Sequence, residues 1–401
     1  MQTAQLHPNV MLLRYHAMMR EMNFLIPVVV LYLQWRGISF AQFMMVQSIF
    51  AVVMLFAEPL ISPLADKYGR KNAILTGSVF WILGHVAIWL STNWQVYTLA
   101  EALLGIGLAS YGPATKALLY DSFLSTHQEG AHYEANSGQV SWQSYAGGVG
   151  MLIGGLLYLV HPLVAMFATL ASTLLLLPLA WRLTEAPYHT RISEGVMSYR
   201  QMWQAVWNSL SSPATRWLVI MPGLITGSTI TLFWSFQPTF AHAQVPTAIA
   251  SAFLAGHFFL RGWFAGKCRS VASKLNIRQC FGTCIVALAV GFPSMAFLPW
   301  WMAYVPFVIA AGFAYVLADT MGQELVHRHV QPDVRATALG GYALVGRVVS
   351  VLTLGGCSLL QPALGLPGAL LVIGTTSVVL ATITFTRLPS ETEKSVVAKA
   401  A

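Results

Sequence analysis

The sequence predicts an all-α integral membrane protein with twelve transmembrane helices in two six-helix bundles. Two observations support this prediction. Of the 401 residues, 56% are hydrophobic and only 9% are charged, whereas soluble domains average about 25% charged residues. The chain also divides into about twelve apolar runs, and each is long enough to cross a membrane, which takes about 20 residues of helix. Soluble proteins are therefore excluded.

The predicted spans are joined by very short connections on one side and by longer polar connections on the other. We place the spans at residues 10–33, 42–64, 73–92, 96–118, 137–160, 162–182, 215–240, 247–267, 279–298, 300–325, 337–360 and 365–386. No cleavable signal peptide is expected, because the first apolar run contains charges and has no cleavage-like end.

The longest connection divides the chain in two. Its segment 202–210 has tryptophans at helical spacing, which predicts an amphipathic helix along the membrane interface. We therefore predict an N-terminal six-helix bundle over 1–183, a cytoplasmic linker with an interfacial helix over 184–213, and a C-terminal six-helix bundle over 214–401.

The distribution of basic residues predicts the orientation. Of the 22 Lys and Arg, sixteen fall on the side with the longer connections, five fall within spans, and Arg36 is on the opposite side. Cytoplasmic loops are the basic ones. We therefore expect a multi-pass protein of the cytoplasmic (inner) membrane with both termini in the cytoplasm. These loops also account for the net charge of +8 without a nucleic-acid partner.

A polar hairpin, Ser-Pro-Leu-Ala-Asp-Lys-Tyr-Gly-Arg-Lys, joins the second and third spans at residues 62–71. An Asp, a Gly and several cations there favour a tight turn. The hairpin resembles the loop between the second and third helices of the major facilitator superfamily, usually written G-x-L-a-D-r-x-G-r-k. The first Gly is replaced by Ser62. Span count, central connection and predicted termini extend the resemblance over essentially the whole chain.

This resemblance implies two helical bundles around a central cavity, with alternating access by rocking. It also implies a cytoplasmic gate, in which an acid at the end of the fourth span pairs with a basic residue of the hairpin and holds the outward-open state. The alternative is a set of solvated loop charges. The implied gate residues are Asp66, Gly69, Arg70, Lys71 and Asp121.

Ionisable side chains at membrane depth cost roughly 2.5–3.5 kcal/mol each on insertion scales, so each needs a reason. Arg20 and Glu21 lie near the middle of the first span. Adjacent residues point about 100° apart on a helix, so we expect one to face the cavity and the other a neighbouring helix. Glu21 is a candidate proton carrier or substrate ligand, and Arg20 a substrate ligand or counter-ion. The alternative is a structural ion pair.

Glu101 lies in the fourth span, shortly before two glycines. In many members of the superfamily, exporters especially, this spacing has an Arg linked to proton coupling. A carboxylate can itself take up and release a proton. The alternative is a buried ion pair with a cation such as Arg20 or Arg261.

Three further groups complete the candidate proton-coupling and substrate set. His257 and Arg261 are four residues apart in the eighth span and so share a helix face. A histidine titrates near neutral pH, which suits proton coupling, although a satisfied core histidine is the alternative. Asp319 and Arg347 suggest an ion pair between the tenth and eleventh spans, or an anion site built on the arginine.

Aromatic and amide side chains suggest a cavity for an organic, partly apolar ligand. The candidate lining residues are Gln139, Trp142, Gln143, Thr229, Trp234 and Gln237. The fifth span also contains five glycines between residues 147 and 155, which favour close helix packing. Their spacing is similar to an antiporter signature, G-P-x-x-G-G, with Met151 in the place of the proline.

These observations predict a proton-coupled secondary active transporter of a small organic solute, with export of an amphipathic drug or metabolite. The alternative within this class is an uptake symporter for an anionic or zwitterionic solute such as a siderophore. A polytopic enzyme acting on lipid would need catalytic groups clustered at one membrane interface. The charged residues lie instead at mid-depth in several spans, so no enzyme is expected. Expected partners are the solute, protons and membrane lipid. We expect no cofactor, metal or nucleic acid, and a monomer.

Overall fold

The computed structural model describes residues 7–126, 128, 132–185, 200, 204, 207, 211, 216–329 and 332–388. In chain order the elements are α1 Pro8–Glu21, a 3₁₀ turn Ile26–Val28, α2 Val29–Trp35, α3 Phe40–Tyr68, α4 Arg70–Leu90, α5 Trp94–Ser125, α6 His132–Val160, α7 Pro162–Leu174, α8 Leu176–Trp181, α9 Arg216–His242, α10 Thr247–Lys274, α11 Ile277–Phe297, α12 Trp300–Phe307, a π-helical turn Val308–Ala314, α13 Tyr315–His329 and α14 Pro332–Thr386. Most of the linker, including the interfacial helix predicted over 202–210, lies outside the described residues.

The all-α membrane fold class is confirmed. Within the described ranges, nine helices are long and apolar enough to cross a membrane. The last of these, α14, holds two predicted spans that meet at Gly365, whose φ of +67° interrupts the helical path. Helix starts follow local chemistry: Ser39 and Gln42 form a capping box at the start of α3, with their side chains and backbones bonding reciprocally.

The chain forms two compact units. One comprises Met1–Tyr199 with Gln244–Gly266, and the other comprises Arg200–Ala243 with Lys267–Ala401. Most of α10 therefore belongs with the first unit. The division into bundles and a linker at 184–213 stays a prediction.

Close helix packing in each unit depends on small residues. In the first unit, α4 crosses α5 where a Cβ added to Gly77 would lie 2.8 Å from the carbonyl oxygen of Gly107. In the second unit, α9 crosses α14, and a Cβ at Gly223 would lie 3.0 Å from the backbone nitrogen of Gly346. Without strong hydrophobic attraction between helices in lipid, such close backbone contact supplies the packing energy.

The first span is not the continuous helix predicted over 10–33. Helix α1 ends at Glu21, residues 22–25 are irregular, and the chain resumes as a 3₁₀ turn before α2. Two residues explain the break. The Asn23 Oδ1 atom accepts hydrogen bonds from the backbone nitrogens of Leu25 and Ile26, which offers the backbone an alternative to the helix. Pro27 has no N–H group to donate to the helical ladder.

The tenth span also departs from a regular helix, since residues Val308–Ala314 form a π-helical turn between α12 and α13. Such turns often lie at functional sites. Nothing in the apolar pattern of that span distinguished it from an ordinary helix.

Candidate functional site

The hairpin and the end of the fourth span are joined by an ion pair, which we call the latch (Arg70 and Asp121). The Arg70 guanidinium contacts the Asp121 carboxylate and also donates to the carbonyl oxygen of Ala117 at 2.9 Å. Only 11% of the Arg70 side chain and 6% of the Asp121 side chain are exposed. The two residues that the resemblance singled out are therefore in contact, in a buried setting. Their role in gating stays a proposal, and the Asp66 side chain lies outside the described part.

Another acidic residue, Glu185, follows the sixth span in the chain and binds the hairpin. Its carboxylate oxygens accept from the backbone nitrogens of Arg70 and Lys71, each at 2.9 Å. These are unsatisfied donors at the start of α4, where a negative charge is also favoured by the helix dipole. Gly69 makes the approach possible, because its φ is +103° and an added Cβ would lie 2.9 Å from Glu185 Oε2.

Glu185→Ala should destabilise the first turn of α4. Loss of a helix cap costs about 1 kcal/mol, so we expect a lower unfolding temperature and weaker protection of the hairpin amides. Glu185→Gln keeps an acceptor oxygen and should lose less. Hydrogen exchange of the hairpin, compared among the three proteins, measures the effect; equal protection in wild type and Glu185→Ala would contradict the capping role.

The buried charges of the first span pair with one another, which corrects the prediction that they face different partners. The Arg20 and Glu21 side chains meet at 3.0 Å, and about a fifth of each is exposed. Both residues are helical, but their side chains are long enough for the guanidinium and the carboxylate to meet at the end of α1. Arg20 also donates to the Tyr111 hydroxyl at 3.1 Å and lies over its ring at 5.2 Å.

Helix α10 packs on this charged pair through Gly147 of α6. A Cβ added to Gly147 would lie 2.7 Å from the Phe258 ring and 3.1 Å from Glu21 Cγ. The neighbouring His257 is buried, and the Arg261 guanidinium lies over the Phe258 ring at 5.6 Å. The structure thus brings four candidates of the first and eighth spans to one region of the first unit.

Glu101 belongs to a separate buried cluster. Its Oε1 accepts from the Tyr97 hydroxyl at 2.6 Å and from Gln47 Nε2 at 3.0 Å. Ten residues separate Glu101 from Tyr111 on α5, or about 15 Å of helix. The alternative, an ion pair with Arg20 or Arg261, is not formed in the described part of the chain: the hydrogen-bond partners of Glu101 are neutral, and Arg20 is engaged by Glu21.

In the second unit, Asp319 accepts from the Tyr342 hydroxyl at 2.6 Å and from Gln323 Nε2 at 3.0 Å. The Asp319–Arg347 ion pair is not formed among the described residues. Arg347 lies partly exposed on α14. The carboxylate instead joins α13 to α14 through the tyrosine.

The candidate cavity residues are divided between the units. On α6, Gln139 is buried, Gln143 is partly buried and Trp142 is 46% exposed. On α9, Thr229 and Gln237 are buried and Trp234 stacks edge-on against Phe233. Because α9 is buried over most of its length, its polar side chains lie inside the protein. Whether they line a cavity stays a prediction.

Two buried histidines were not predicted as candidates. His16 contacts Ser78, and His85 contacts Asn23 and the Trp81 carbonyl oxygen. A signal was available, since each lies inside an apolar run where a polar ring needs partners.

Comparison with known proteins gives a family-level result. The chain matches a family model described as "Major Facilitator Superfamily" over residues 15–354. It is 32% identical over 81 residues to an uncharacterized MFS-type transporter, YwfA, of Bacillus subtilis (strain 168), which is 20% of each chain. It is 36% identical over 69 residues to the multidrug transporter MdfA of Shigella boydii serotype 4 (strain Sb227), which is 17% of each chain. The matched segments thus span about a fifth of these curated relatives.

Among solved structures, a mutant of the nucleoside transporter NupG superposes with a TM-score of 0.79 at 14% identity, covering 96% of this chain and 100% of that one. A D-xylose–proton symporter gives a TM-score of 0.68 at 12% identity, covering 95% and 97%. At such identities the likeness shows the fold alone.

Proposed function

Because the chain belongs to the Major Facilitator Superfamily, and so is a membrane transporter and not an enzyme, we propose that it moves a small organic solute by proton-coupled alternating access. Glu101 supports this most strongly. Its recorded hydrogen-bond partners are neutral, and a buried ionised carboxylate without a cation costs several kcal/mol. Such a carboxyl is suited to carry a proton during part of a transport cycle.

The proposed direction is export of an amphipathic drug or metabolite. The local similarity to a multidrug transporter supports it, and so does the position of Glu21, whose side chain and the Phe258 ring both lie against Gly147. An acid next to an aromatic surface is a suitable site for an amphipathic cation. We also propose that the protein is a monomer in the inner membrane, with both termini in the cytoplasm.

Uptake of an anionic or zwitterionic solute is the second candidate. Arg20 favours it. Its guanidinium donates hydrogen bonds to the Tyr111 hydroxyl and to the Glu21 carboxylate, and it could exchange the Glu21 carboxylate for that of a solute. The solved structures that share the fold include a nucleoside transporter and a D-xylose–proton symporter.

A thermal-shift screen separates these candidates. Purified protein is heated with ethidium, uridine, D-xylose or citrate at pH 5.5 and pH 8. Stabilisation by ethidium that grows with pH supports export of an amphipathic cation, because cation and proton then compete for the same acid. Stabilisation by citrate alone favours the uptake candidate, whereas stabilisation by uridine or D-xylose alone indicates a neutral solute and contradicts both candidates.

The Glu21→Gln variant tests the same two candidates by mutation. Loss of a charged partner removes about 1.5–3 kcal/mol, so ethidium should bind about tenfold more weakly or worse, and with less pH dependence. Tyr111→Phe is the matched control, because it removes the other partner of Arg20 and leaves the acid. Tighter binding of citrate by Glu21→Gln would instead support uptake, and unchanged binding of every probe would exclude Glu21 from the site.

A further inference from the structure

The break in the first span is held by hydrogen bonds from three side chains. Asn23 Oδ1 accepts from the backbone nitrogens of Leu25 at 3.0 Å and Ile26 at 3.2 Å. From α7, the Thr169 hydroxyl accepts from Leu25 N at 2.9 Å, and the Ser172 hydroxyl donates to the Met22 carbonyl at 3.0 Å. The irregular backbone is therefore satisfied by side chains, as is required away from water.

These bonds fix the orientation of the Asn23 amide. Since its oxygen faces two N–H donors, its nitrogen must be the atom that faces His85 Nε2 at 3.1 Å. An amide nitrogen only donates, so His85 Nε2 must accept.

The other ring nitrogen of His85 leads to the same conclusion. His85 Nδ1 lies 2.8 Å from the Trp81 carbonyl oxygen, which only accepts. Nδ1 therefore has the proton and Nε2 does not. His85 is buried, with 1% of its surface exposed, and a second proton on Nε2 would point directly at the Asn23 amide hydrogens. Hydrogen-bond complementarity alone makes His85 a neutral Nδ1–H tautomer.

For His16, on α1, the hydrogen bonds favour a proton on the other ring nitrogen. Ser78 Oγ donates its only proton to the Ile74 carbonyl at 2.8 Å and lies 3.0 Å from His16 Nε2. This bond favours the tautomer in which His16 Nε2 donates to the serine oxygen, opposite to that of His85. The NMR signal of His16 then serves as an internal reference for that of His85.

The break is also enclosed by the glycines of α6. A Cβ added to Gly150 would lie 3.2 Å from Met22 Cα, and one added to Gly154 would overlap the Phe24 carbonyl. The part of the fifth span that is similar to an antiporter signature thus makes room for the irregular backbone. Arg20 and Glu21 come directly before this segment, so the break sets where the charged pair lies.

We propose that Asn23 and His85 are positioning residues, which hold the break in the first span and thereby place Arg20 and Glu21, and that they do so only while His85 is the neutral Nδ1–H tautomer. The transport consequence rests on the proposed function, but the tautomer and the break do not. The groups in contact with His85 are the Asn23 amide, the Trp81 carbonyl oxygen and the Trp81 ring, whose centroid lies 5.3 Å from that of His85. Beyond them, Tyr111 on α5 contacts Trp81 and Thr169 on α7 contacts Asn23. The charged residues Arg20 and Glu21 precede Asn23 in the chain and pair with each other.

The first test is ¹⁵N NMR of the histidine-labelled full chain, with His85→Gln and His16→Gln used to assign the two signals. We expect His85 to show an unprotonated Nε2 and His16 a protonated Nε2, with the His85 signal unchanged from pH 5.5 to pH 8. A protonated Nε2 on His85, or titration of His85 in that range, would overturn the proposal.

Asn23→Asp gives a sharper test of the pair. An ionised carboxylate cannot donate to Nε2, so one added proton must lie between the carboxyl and Nε2. We expect the Nε2 resonance of Asn23→Asp to move away from the wild-type value towards the protonated range, and that of Asn23→Gln to stay at the wild-type value. An Nε2 resonance in Asn23→Asp identical to that of the wild type would show that the two residues are not coupled.

The positioning role is tested by measuring the kinetics of ethidium transport in proteoliposomes. His85→Phe should lower kcat about tenfold or more with a smaller change in KM, because displacement of reacting groups by about 1 Å can reduce rate by about a hundredfold. His85→Gln, which keeps a donor and an acceptor, should recover part of it. Equal rates in His85→Phe and wild type would refute the role.

If the wild-type protein transports none of the four probes, hydrogen exchange of residues 22–26 tests the positioning role instead. Faster exchange in His85→Phe than in wild type supports the role, and unchanged exchange refutes it.

Discussion

Glu101→Gln is expected to abolish accumulation of solute driven by a pH gradient, with a fall of about 100-fold or more, while solute exchange without a gradient persists. Proton transfer by a positioned side chain contributes effects of this size. Glutamine has nearly the same shape, and its amide oxygen can still accept from Tyr97 and Gln47. Folding should therefore change little, and the lost function is proton exchange itself.

The measurement is transport in proteoliposomes with the probe that stabilises the wild-type protein. Net flux is driven by an imposed pH gradient, and counterflow is recorded without one. Tyr97→Phe is the matched control, because it removes one hydrogen bond and leaves the carboxyl. Gradient-driven accumulation by Glu101→Gln at the wild-type level would remove Glu101 from the coupling scheme.

Arg70→Ala and Asp121→Asn should each release the latch. Removing one partner of a buried ion pair leaves an uncompensated charge and costs about 3–5 kcal/mol, and both side chains are largely buried. If the latch stabilises one transport state, each 1.4 kcal/mol lost changes the ratio of states about tenfold. Each variant should therefore populate the state with an open cytoplasmic side and transport more slowly.

The reversed pair, Arg70→Asp with Asp121→Arg, should recover part of the rate and of the unfolding temperature. Lys67→Ala is the neighbouring control, since the exposed Lys67 ammonium lies 5.1 Å from the Tyr68 ring, outside the latch. A reversed pair no better than either single variant, or an equal effect of Lys67→Ala, would reject the latch as a specific contact.

The fold class and the hairpin could be predicted from the sequence because their signals are local. Apolar runs of fixed length report spans, and the hairpin at 62–71 is read within ten residues. Asp121 lies 51 residues from Arg70, and its pairing with the hairpin was implied only by the family resemblance. Glu185 could not be assigned in the same way. It lies 114 residues from Lys71 in the chain, so its capping role depends on how the sixth span packs beside the third.

The partners of the buried charges were predicted less well. Ion pairs were among the alternatives for Glu101 and Asp319, but both carboxylates are bonded by tyrosines and amides. Neutral donors are common in apolar runs and give no charge pattern to read. The broken first span was within reach, because Asn23 and Pro27 both disfavour a helix. The many apolar residues around them favoured the prediction of one continuous span instead.

Double electron–electron resonance tests the central claim most directly and needs no known solute. Spin labels are placed at the exposed positions Asn72 and Lys274 in a cysteine-free background, and distances are recorded at pH 5.5 and pH 8. Proton-coupled alternating access predicts that the wild-type distance distribution shifts with pH, and that Glu101→Gln shows one distribution at both values. A wild-type distribution that does not change with pH, or an equal shift in Glu101→Gln, would contradict it.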